Sequence, residues 1–80
     1  MEKKSVTKRI TTIRPDGSVR TGFMSAMFMD TEEIRRDIDT EEIRYSSYPG
    51  VQSIEMSSSA WVLAVTYHDG TVTVITYSDN

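Results

Sequence analysis

The pattern that most limits the fold lies at residues 60–77, where two β-rich arms, 60–67 and 71–77, flank His68-Asp69-Gly70. Asp-Gly between such arms suits a primed hairpin turn, in which glycine takes φ > 0 at no steric cost. In the first arm Trp61, Leu63, Val65 and Tyr67 line one face and Val62, Ala64 and Thr66 the other. In the second, Val72 and Val74 lie opposite Thr71, Thr73, Ile75 and Tyr77. An isolated hairpin is at best marginal in water, so these arms call for further strands and an apolar cover.

A second turn signal, Pro15-Asp16-Gly17, follows residues 5–13. Val6, Ile10 and Ile13 recur at helical spacing, but six of those nine residues are β-branched and crowd χ1 in a helix. A strand and hairpin is the expectation, with the return strand starting at Ser18-Val19-Arg20. Residues 23–29, Phe-Met-Ser-Ala-Met-Phe-Met, are apolar on both faces of an extended strand. Simple alternation points Phe23, Met27 and Met29 one way, with Met24, Ala26 and Phe28 the other. Such a strand is sandwiched or awaits a partner, and a homodimer is one way to cover its second face.

Residues 30–44 carry the helical signal. Asp-Thr-Glu-Glu-Ile-Arg occurs at 30–35 and again at 39–44. Each copy resembles a helix start, with Asp at the cap and Glu three residues on. Nine residues turn a helix through about 900°, so Ile34 and Ile43 would face opposite sides of one continuous helix. Ile34, Ile38 and Tyr45 would share a stripe, leaving Ile43 exposed. A break near Asp39, with that residue capping a fresh turn, resolves the conflict and is the preferred reading. Tyr48-Pro49-Gly50 then marks a loop, 51–56 a weak strand and Ser57-Ser58-Ser59 a connector.

The order β-β-α-β-β-β predicts an α+β fold: an antiparallel sheet of four to five strands with one helix on one face. One domain fills residues 1–80, with residues 1–4 expected to be flexible. With no cysteine and one histidine, neither disulfides nor a zinc site can staple the core, which must be apolar or completed by a partner. Absent cysteine fits a reducing compartment. No apolar stretch after Met1-Glu2-Lys3-Lys4 resembles a leader, and no run is long enough to span a membrane, so the cytoplasm is the default.

Catalytic patterns do not assemble. His68 and Asp69 are adjacent in sequence and would point apart on a strand, so His68 reads as a turn residue. Asp37, Asp39 and Glu41 mimic the start of a calcium loop, but Glu42 stands where that loop needs glycine and Tyr48 where it needs Glu. The four glycines are scattered, leaving no phosphate-binding loop. No enzyme and no cofactor is expected.

Charge is divided along the chain. Residues 1–20 hold six basic side chains against Glu2 and Asp16, residues 30–44 seven carboxylates against three arginines, and residues 45–80 no Lys or Arg. The leading reading is a small binding protein that meets a basic protein surface through the acidic helix. Its specific form is an inhibitor of the kind phages and mobile elements encode, blocking a host nuclease or other defence protein. Candidate contacts are Asp30, Glu32, Glu33, Asp37, Asp39, Glu41 and Glu42, with Tyr45 and Tyr48 as aromatic anchors. The second reading is a nucleic-acid-binding module using the basic hairpin of Lys3, Lys4, Lys8 and Arg9, against which stand a pI near 5.0 and no aromatic side chain before Phe23.

Overall fold

Both predicted turns form, and they share one geometry. In the computed structural model, which describes residues 2–57 and 60–80, the Gly17 amide donates to the Arg14 carbonyl and the Gly70 amide to the Tyr67 carbonyl. Arg14 and Tyr67 in turn donate across the turn to the Ser18 and Thr71 carbonyls. Gly17 and Gly70 have φ of 88° and 94°, whereas Asp16 and Asp69 do not reach positive φ. Each turn is therefore a three-residue loop with glycine in the left-handed position, not the two-residue primed turn expected at Asp69-Gly70. The Asp side chains accept from the Ser18 and Thr71 amides at 2.9 and 2.8 Å, which holds both carboxyls below their ordinary range.

The turns lie side by side, since a Cβ on Gly70 would stand 3.4 Å from Pro15 Cγ. Gly70→Val should thus lower stability by about 1–3 kcal/mol, through a β-branched residue forced to positive φ. An unchanged midpoint in thermal unfolding would contradict the assigned turn.

Five strands result: β1 (Lys4–Ile13), β2 (Val19–Met29), β3 (Val51–Ser57), β4 (Val62–Tyr67) and β5 (Val72–Asp79). All neighbours are antiparallel, in the order β2-β1-β5-β4-β3. The two hairpins are thus joined along β1 and β5, the first and last strands of the chain. The expected α+β architecture, an antiparallel sheet with a single helix, is what forms. At the amino-terminal end β1 begins at Lys4, and Lys3 pairs with Glu33 of the helix. Ser58 and Ser59 of the expected connector lie outside the described residues.

The helix α1 (Thr31–Ser46) is continuous. Asp30 caps it by accepting from the Glu33 amide while Glu33 accepts from the Asp30 amide, the reciprocal capping box its sequence announced. The expected break at Asp39 does not occur. Ile34, Ile38, Glu41 and Tyr45 form the inward stripe, and Ile43 stays 70% exposed. An uninterrupted helix leaves one isoleucine in water but retains its hydrogen-bond ladder, and the inward place that a restart would have reassigned is filled by Glu41.

The core lies between α1 and one face of the sheet. Val6, Leu63, Val65 and Ile75 meet Ile34 and Ile38, with Tyr45 and Tyr77 at the margins. Trp61 joins this core and precedes β4 at φ 53°, the one described non-glycine residue with positive φ. Lys4 lies over its ring at 4.8 Å. A register shift between Val6 and Lys8 inserts an extra residue into β2. The bulge overturns the simple alternation expected of residues 23–29. Met24, Met27 and Met29 pair with Lys8, Val6 and Lys4 on the helix side, while Phe23 and Phe28 both turn to the opposite face with Arg9 and Ser5.

Candidate functional site

The nine candidate contact residues separate into three groups once the helix is seated. Asp30 and Glu33 are committed to the helix start, and Glu33 also holds Lys3 at 3.2 Å. Asp37 and Glu41 turn toward the sheet. Glu41 is 4% exposed, which corrects the expectation of a solvated carboxylate there, and Tyr45 is buried beside it at 9%. Glu32, Asp39 and Glu42 have no ion pair among the described residues, and Tyr48 stays exposed.

Lys8 explains the inward carboxylates. β1 directs it at the helix, where its ammonium lies 2.8 Å from Asp37 and 3.7 Å from Glu41 and packs over the Tyr77 ring at 5.5 Å. The Tyr77 hydroxyl donates to Asp37, and Arg44 reaches Glu41 at 3.1 Å from the solvent side. Burial, followed by the Asp37 carboxylate, drives the Tyr77 phenol far above its ordinary range, so it remains a donor. One Glu41 oxygen is buried with no hydrogen bond and is compensated only by the nearby ammonium. The cluster ties strand to helix. It also removes Lys8 from the basic head, where sequence reasoning had placed it as a surface cation. The only sequence signal for its burial was its i+2 spacing from Val6 on a strand.

Lys4 pairs with Asp79 at 3.1 Å, so each lysine of the basic hairpin has an acidic partner and Arg9 alone among its four cations has no ion pair among the described residues. On the outward side of α1, Glu32 and Asp39 share a shallow depression with Arg35 and Arg36. That half of the helix is of mixed charge. Toward the carboxyl end Asp39 neighbours both Glu42 and Ile43, three and four residues on, while Arg35 and Arg36 stand one turn before it. An exposed isoleucine stands there beside Asp39, which like Glu42 has no ion pair among the described residues.

A cleft of about 440 Å³ opens between the end of α1 and the Asp69 turn. Tyr45, Tyr48, Tyr67 and Arg14 line it, with the Tyr45 and Tyr48 rings 5.0 Å apart. Arg44 donates to the Tyr48 hydroxyl at 3.2 Å and holds that ring beside Tyr45. Burial raises the Tyr45 phenol, with Glu41 adding to the effect.

Among the described residues no group of three His, Asp or Glu side chains is placed to hold a metal ion, and no helix is long and apolar enough to cross a membrane. The chain matches no protein-family model, no curated protein and no solved structure.

Proposed function

We propose that this chain is a small non-enzymatic binding domain that meets a basic protein surface through the carboxyl-terminal half of α1. Its specific form is an inhibitor, of the kind phages and mobile elements encode, that covers a working surface of a host nuclease or defence protein. The observation that carries the reading is Ile43, 70% exposed in the last turn of a continuous helix, one turn after Asp39, which also neighbours Glu42. An apolar anchor within a charged rim is the arrangement on which contact energy concentrates. The rim speeds encounter with a basic partner and weakens as salt rises. Glu32 continues the strip toward the amino end through mixed charge, and Tyr48 offers a separate exposed aromatic contact past the end of the helix.

The experiment is affinity capture from the native host with three proteins: wild type, Ile43→Arg/Asp39→Lys/Glu42→Lys, and Lys3→Glu/Arg9→Glu. A partner that binds wild type and the amino-terminal variant, but not the helix variant, is the expected result. Loss with the amino-terminal variant alone, together with salt-sensitive binding of DNA or RNA, would transfer function to the hairpin.

A further inference from the structure

We propose that the sheet face opposite the helix is a self-association surface, occupied by the same face of a second copy of this chain. The 17 Å thickness of the molecule accommodates one helix on one sheet, and among the described residues no third layer covers the other side. Strand register assigns that side without ambiguity. Ser5, Thr7, Arg9, Thr11 and Ile13 of β1 share it with Phe23 and Phe28 of β2, Val72 and Val74 of β5, Val62 and Ala64 of β4, and Glu55 of β3. Phe23, Phe28 and Val19 are 65%, 67% and 61% exposed. Ile13 and Val72 stand beside Val19 in one row across the sheet, and a contiguous apolar patch of this kind marks a contact surface where scattered residues would not.

The occupant follows from how the face is divided. Its bulky side chains stand on the β2 edge and its small ones, Ser53 and Ser57, on the β3 edge. Its charged strand residues are Arg9 on β1 and Glu55 on β3. A two-fold axis along the strands at β5, the central strand, lays β2 of one copy over β3 of the other and β1 over β4. Because Arg9, Phe23, Thr76, Val62 and Ser57 lie in one row across the sheet, Phe23 then meets the partner copy at its serine. Val19, two rows along, meets Ser53 in the same way. Arg9 becomes the diagonal neighbour of Glu55, within reach across the ~10 Å that separates packed sheets. Large falls on small and cation on anion, and the same pairs recur on both sides of the axis.

Area agrees with this. Five strands spaced about 4.8 Å apart and paired over about 20 Å present a footprint near ~500 Å², so two faces with their side-chain relief pass the ~1,000 Å² of a specific interface. The dimer would direct its two helices outward and leave the strip at Ile43 open on both sides. It does not depend on what that strip binds.

Sedimentation velocity tests it, with circular dichroism and thermal melts confirming that each variant is folded, as substitutions at exposed positions should allow. Wild type should sediment as a dimer and Phe23→Glu as a monomer. Arg9→Glu and Glu55→Arg should each weaken association by about tenfold or more, and the double exchange Arg9→Glu/Glu55→Arg should restore it to within about threefold of wild type. A wild-type monomer at about 100 μM, where even a weak dimer is populated, would overturn the proposal. A dimer that survives Phe23→Glu, or a double exchange that fails to recover, would overturn it equally.

Discussion

Lys8→Met should destabilise the domain by about 3–5 kcal/mol, because it takes the cation from the buried Glu41 oxygen that has no hydrogen bond and from Asp37, leaving Glu41 with Arg44 on its other oxygen alone. Against a total stability of about 5–15 kcal/mol, that loss brings the chain close to unfolding. The burial of both partners makes the effect large: the Lys8 and Glu41 side chains are 9% and 5% exposed, so water screens the pair little. Arg44, on the solvent side at 58%, cannot replace the lost charge. The pair itself is a different matter from its halves. Lys8→Met/Glu41→Met removes both charges and leaves apolar side chains of similar length, and urea unfolding should show most of the loss recovered. If Lys8→Met alone unfolds within about 1 kcal/mol of wild type, the cluster is solvated and the assignment of Glu41 to the interior is wrong.

Ile38→Ala and Ile43→Ala should differ sharply. Ile38 is 1% exposed and packs in the core, so its truncation should cost about 2–5 kcal/mol. Ile43 stands in water, and the same change there should fall within about 0.5 kcal/mol of wild type. A helix broken at Asp39 would have reset the phase of the second half and given the two isoleucines comparable costs. Equal losses in paired urea titrations would restore the broken helix and remove the exposed anchor on which the proposed partner contact rests.

Much of the architecture was legible from local patterns. Asp-Gly and Pro-Asp-Gly between β-rich arms marked both hairpins, since glycine at positive φ is a local requirement that no tertiary contact is needed to reveal. Asp30 followed by Glu33 marked the helix start for the same reason: the capping box closes within one turn. Element boundaries moved by a few residues, as at Lys4 and Asp79, where pairing of β1 with β5 extends the strands beyond their patterned cores.

The candidate surface was less legible. Seven carboxylates in one segment looked like one field, yet a capping role, an amino-terminal lysine and a lysine on β1 dispersed them. Sequence spacing could put Glu41 on the inward stripe with Ile38 and Tyr45, but nothing local announced a cation opposite it. Lys8 comes from another element 33 positions away, and only the docking of α1 on β1 brings the two together. The bulge in β2 is of the same kind. Alternation separates Phe23 from Phe28, and a single extra residue opposite Val6 and Lys8 returns them to one face.

By itself, then, the sequence determined which segments are strands, where they turn and where the helix begins. Those features depend on backbone sterics and hydrogen bonds spanning a few residues. Only the tertiary structure decided which charges are buried and which side chains share the open face. Those outcomes depend on strand register and on desolvation between elements distant in the chain, and neither quantity exists until the elements meet.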